Sequence, residues 1–104
     1  LAGRIYPEVG PVDTVQDIRE LNRLIRKQIR DPATNTREEL TEFVRRSMYI
    51  WTLTQKKTPT IMTKPAMARA AKEEYTKTAK LANRILKERG IPGPRYDTKI
   101  GPGR

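Results

Sequence analysis

The sequence predicts an all-α protein: a small three-helix, up-down bundle with extended Pro/Gly-rich tails at its N- and C-terminal ends. Three observations predict it. Apolar residues recur at helical spacing in three separate segments, and no stretch of useful length shows the strict alternation of a strand. Cap and stop signals stand at the ends of those segments. Pro and Gly gather at the two ends of the chain, where they oppose regular structure. The organisation that follows is a tail over 1–12, a bundle over 13–90 and a second tail over 91–104.

The first helix is expected over about 13–30. Asp13 or Thr14 supplies the N-cap, and Asp17 and Glu20 suit the positive end of the helix dipole. Ile18, Leu21, Ile25 and Ile29 share one face. Pro32 ends the helix, because its ring blocks continuation and restrains Asp31. The second helix, 37–55, opens on a Thr36-x-x-Glu39 capping box. Leu40, Phe43, Val44, Ser47, Trp51 and Thr54 form its inner face, widened by Tyr49, Ile50 and Leu53. Trp51 and Tyr49 are read as core and not as base-stacking residues. A Thr-rich link around Pro59 follows. The third helix, about 64–89, carries Pro65 in its first turn, where a missing N–H costs nothing. Its inner stripe is Ala71, Tyr75, Thr78, Ala82 and Ile85. Gly90 is expected at the left-handed C′ position, with Ile91 folding back and Pro92 blocking continuation.

Composition narrows the function. The 104 residues contain no Cys and no His, which excludes thiolate chemistry, an imidazole base, a zinc finger and a Ser-His-Asp triad. Glu38, Glu39, Glu42, Glu73 and Glu74 are read as helix-surface acids, since no partner points to a tuned carboxylate pair. There is no glycine-rich phosphate cradle. Met48, Met62 and Met67 are too scattered for a metal or partner site. The expectation is a chain that is not an enzyme, with no catalytic residue, no cofactor and no metal. No apolar run approaches the roughly 20 residues of a membrane span. A chain beginning with Leu1 is expected to be a processed or trimmed product.

The charge is +10, and its placement carries the functional reading. Residues 64–89 hold eight cations against three acids. At about 100° per residue, Lys77, Lys80, Arg84 and Lys87 fall within roughly 80°, opposite the Ala71/Tyr75/Ala82 stripe. In the first helix Arg19, Arg23, Arg26 and Arg30 fall within roughly 60°, beside the Ile face. The ordinary reading is a pair of solvated faces with acids in reach at i,i+4. The sharper one is docking onto a polyanion or an acidic protein surface, because four like charges on one stripe repel unless something answers them. Tyr6 and Tyr96 stand in the tails beside or near Pro. The tails are expected to be unordered in the free protein and laid on a partner, with the two tyrosines as anchors.

The third helix, with Glu74-Tyr75-Thr76-Lys77-Thr78 followed by Asn83, Ile85 and Leu86, resembles the last bundle helix of the PsbQ-like extrinsic subunits of photosystem II. The Pro-containing link and the Leu40/Phe43 helix before it stand in a similar order, so the resemblance covers about residues 14–89. It implies a cofactor-free accessory subunit of a photosynthetic membrane complex, peripheral to the membrane on the lumenal side of the chloroplast thylakoid. The partners would be protein subunits with acidic surfaces. Two alternatives stay open: a ribosomal or other RNA-bound protein contacting rRNA, and a peripheral subunit of a respiratory or other organellar complex in the mitochondrion.

Overall fold

A computed structural model describes residues 12–55 and 65–99, and among them forms three helices and no strand: α1 (Val15–Arg30), α2 (Arg37–Gln55) and α3 (Pro65–Glu88). Local chemistry sets each boundary. At the start of α1 the Thr14 hydroxyl accepts from the Asp17 N–H at 3.0 Å, and the Asp17 carboxylate accepts from the N–H groups of Thr14 and Asp13 at 3.1 Å. Those bonds to the ionised form hold the Asp17 carboxyl below its ordinary range, the Asp13 N–H contributing most. At α2 the Thr36 hydroxyl accepts from the Glu39 N–H, and its own proton goes to the Glu39 carboxylate at 3.0 Å. The Glu39 side chain thus closes onto the Thr36 hydroxyl.

The stop of α3 follows the expectation closely. Gly90 has φ 62°, its N–H reaches the Lys87 carbonyl, and the Ile91 N–H reaches back to Leu86 at 2.9 Å. Two crossed bonds of this kind are a Schellman cap. The end of α1 is finished from a distance. Arg89 donates to the carbonyls of Arg30, Asp31 and Thr34, so a cation from the end of α3 satisfies orphan carbonyls at the end of α1.

α3 packs on both other helices, and α1 also packs on α2. Asn22 meets Thr78, and Arg30 meets Arg89, so α1 and α3 run parallel. The core contains Ile18, Ile25, Ile29, Leu40, Phe43, Ile50 and Tyr75, with the small Ala71, Ala79 and Ala82 of α3 allowing close approach. One polar knot sits at its centre. The Asn22 side-chain oxygen accepts from Ser47 at 2.6 Å and from Thr78 at 3.3 Å, while its amide donates to the Ile18 carbonyl. A buried amide satisfied by all three helices fixes their register, since any slip leaves it unpaired.

Two expected core residues sit further out. Leu21 and Trp51 are half-buried and pack against the core from its edge. Tyr49 is 47 % exposed, which corrects its assignment to the core face. By helical phase it stands opposite the Leu40/Ser47/Trp51 side of α2.

Candidate functional site

The basic residues of α1 and α3 were expected on two separate faces. The structure brings most of them to one place. Arg26 and Arg30 from α1 face Lys77, Lys80 and Arg84 from α3 across an open cleft of about 500 Å³, floored by Leu81. The reason is the seam between the helices. α3 turns Glu74, Thr78 and Leu81 toward α1, so long side chains at 77, 80 and 84 border that seam instead of pointing away from the bundle.

Its base is an ion pair. Arg26 Nη2 lies 2.9 Å from Glu74 Oε1, with side chains 15 % and 6 % exposed. That contact is one of charge more than of alignment, since Glu74 Oε1 has no hydrogen bond of good geometry among the described residues. Arg26 Nη1 adds long bonds of 3.4 Å to the Glu74 carbonyl and the Thr78 hydroxyl. Lys77 Nζ approaches the other Glu74 oxygen at 3.4 Å. Glu74 thus answers Arg26 fully and Lys77 in part. Arg84 has a loose 3.7 Å approach to Glu88. Arg30 and Lys80 have no ion pair and no side-chain hydrogen bond among the described residues. Cationic charge exceeds anionic charge in the cleft, and its parallel helices both direct their negative dipole ends toward the side where Arg30 and Arg84 stand.

The other sequence-predicted residues fall elsewhere. Arg23 pairs with Glu20 on the exposed side of α1. Arg19 and Lys87 are exposed and do not line the cleft. Tyr6 lies outside the described residues. Tyr96 and residues 94–99 of the tail, expected to be unordered until a partner is met, lie instead on the bundle itself, and 100–104 fall outside the described residues. Residues 91–99 lie along the bundle's own α2–α3 groove. Asn83 grips the Tyr96 backbone twice, accepting from its N–H at 2.7 Å and donating to its carbonyl at 2.9 Å. The Asp97 carbonyl is held by the Tyr75 hydroxyl at 2.7 Å, and the Thr98 carbonyl lies 3.2 Å from the Thr76 hydroxyl, whose single proton is shared with the Lys72 carbonyl at 2.9 Å. The Tyr96 hydroxyl bonds Thr41, and the Arg37 guanidinium lies 4.6 Å above its ring. At Gly93 (φ 125°) a Cβ would stand 2.7 Å from Arg37, so this glycine lets the strap pass close over that side chain. Burial first, and the Asp97 charge second, push the Tyr75 hydroxyl above its ordinary pKa.

Sequence reading missed Glu74, Leu81 and Asn83. Helical phase places Glu74 and Leu81 beside the Thr78 face, which was a usable signal. Nothing in the sequence pairs Asn83 with Tyr96. Among the described residues no three acidic side chains cluster as metal ligands would, and no helix is long and apolar enough to cross a membrane. Compared with known proteins, the chain matches no family model, no curated protein and no solved structure at a significant level.

Proposed function

We propose that the chain is a non-catalytic docking subunit of a larger assembly, held to an anionic surface by the cleft between α1 and α3. One observation carries this reading: two basic stripes from different helices converge on one open cleft, and only Arg26 is fully answered within it. Charge of one sign gathered in a concavity with an apolar floor focuses its field outward and raises the local concentration of an anionic partner.

The resemblance of α3 to PsbQ-like subunits supports the lumenal face of photosystem II as that surface, with the protein peripheral to the thylakoid membrane. Those subunits have four bundle helices, whereas the described residues here form three. An RNA-bound subunit is the second reading, favoured by the crowding of cations in the cleft. The test compares two variants of equal net charge. Arg30→Gln/Lys80→Gln/Arg84→Gln removes cleft charge, and Arg69→Gln/Lys72→Gln/Lys87→Gln removes the same charge elsewhere on α3. On a phosphate cation exchanger the cleft variant is expected to elute at clearly lower salt than the control. Identical elution of the two would mean that the charge is spread and no docking site exists.

A further inference from the structure

The cleft also carries information about what kind of anion fills it. Resting on the docking cleft proposed above, and taking its RNA-bound reading over the photosystem surface, we infer that its occupant is the phosphate backbone of a nucleic-acid double helix.

Charge density comes first. From Lys77 to Arg84 the cleft follows α3 for about 10 Å. A duplex carries one negative charge per about 1.7 Å of its axis, or about six over that length, about three of them on the strand facing the protein. A glutamate-rich helix face offers about one carboxylate per 5.4 Å turn, hence about two. With Arg26 committed to Glu74, the cations open to a partner are Arg30, Lys77, Lys80 and Arg84. Four cations over that length cover about three phosphates of the facing strand and one from across the groove, and exceed what a carboxylate face supplies.

The shape and the lining point the same way. The cleft is open to solvent, and arginine forks suit phosphate oxygens. Its lining contains no aromatic side chain and no amide. Proteins that hold single strands stack bases on aromatic rings, and those that read base edges use Asn, Gln or inserted Arg. The exposed aromatic of the bundle, Tyr49, stands on α2, away from the cleft. A lining of cations with no stacking platform favours contacts to the backbone over contacts to splayed bases. The α2–α3 groove on the other side of α3 is taken by the chain's own residues 96–98, whereas the α1–α3 cleft is open.

The experiment titrates the full chain with four probes: an RNA duplex of about 16 base pairs, a DNA duplex of the same sequence, one of its single strands, and poly-glutamate of equal total charge. Both duplexes are expected to bind within a few-fold of each other, the single strand at least about tenfold more weakly. Between about 50 and 200 mM salt the duplex affinity should fall about 100-fold, a log–log slope of about −3 to −4 for four phosphates neutralised. Arg30→Gln/Lys80→Gln should bring the slope to about −2, while Arg69→Gln/Lys72→Gln leaves it in place. Poly-glutamate binding as tightly as the duplexes would overturn the duplex assignment and leave the docking subunit standing with an acidic protein as its partner. A slope that responds equally to the two pairs of substitutions would place the binding outside the cleft and overturn the inference. Failure of every probe to bind would sink the docking reading as well.

Discussion

α3 borders two grooves, and they are finished in opposite ways. On the α2 side, Tyr75, Thr76 and Asn83 present polar groups, and each meets a backbone partner in the strap over 96–98. On the α1 side, Lys77, Lys80 and Arg84 present charge, and among the described residues only Glu74 and the distant Glu88 answer it. A satisfied groove belongs to the fold. A groove with cations left over is where the docking reading seats its partner. Stability experiments can break this distinction, because the strap side should register strongly in folding and the rims of the cleft should not.

The largest effect is expected where the two descriptions meet, at the base of the cleft. Glu74→Ala removes the partner of a guanidinium that is only 15 % exposed. Leaving a buried charge unanswered costs about 3 kcal/mol, at the low end for broken buried pairs because Arg26 retains some water. Urea unfolding checks it. A loss under about 1 kcal/mol would show that Arg26 swings out to solvent and joins the cations of the rim.

Next comes the strap. Deleting 94–104 removes the bonds from Tyr75, Thr76 and Asn83, the Thr41–Tyr96 bond and the Arg37–Tyr96 contact. At about 1 kcal/mol for each hydrogen bond, offset by the entropy of ordering the segment, the net loss is about 2 kcal/mol, or a midpoint drop of about 10 °C. An unmoved midpoint would restore the picture of a tail reserved for a partner. The same groove carries a pH signature. The Tyr75 phenol has a folded-state pKa above its ordinary 10.0, so the neutral form is favoured by folding. Its contribution is complete below pH 10 and fades as pH rises through the folded value. Wild type should lose midpoint above about pH 10 more steeply than Tyr75→Phe. Parallel curves would show that the Tyr75–Asp97 bond adds nothing to stability.

These two regions also differ in how far the sequence exposes them. Helix ends were legible because their signals are local: Thr14 with Asp17, Thr36 with Glu39, and Gly90 with Ile91 all lie within one turn of what they cap. The buried stripes Ile18/Ile25/Ile29 and Ala71/Tyr75/Thr78 were legible because a 3.6 period survives in the chain. Partnerships between helices were not. Whether Lys80 faces solvent or a cleft depends on how α3 rotates against α1, and the single-helix angles that set it opposite the core ignored the reach of a lysine. The strap was misread for a related reason. Pro and Gly forbid regular structure over 90–94, but side-chain donors such as Asn83, Tyr75 and Thr76 satisfy an irregular backbone as well as a ladder does.

The smallest expected effect is also the one that separates fold from function most cleanly. Arg30→Gln/Lys80→Gln removes two side chains that have no ion pair among the described residues. Two opposed contributions are at stake. Arg30 occupies the last turn of α1, where a cation gains about 0.3–1 kcal/mol from the helix dipole. Against it, both residues stand with Lys77 and Arg84 in a chain of net charge +10, and relief of like-charge repulsion offsets a gain of that size. Stability should therefore stay within about 0.5 kcal/mol of wild type, as for other surface changes. Raising the salt should narrow even that difference, since both contributions are screened over about 8 Å at physiological ionic strength. A loss above about 1 kcal/mol that salt abolishes would assign the two cations to the α1 terminus, making them part of the fold like Arg89. A flat result leaves them with no folding role, and a partner is then the remaining reason for two cations to be held without a counter-charge beside Leu81.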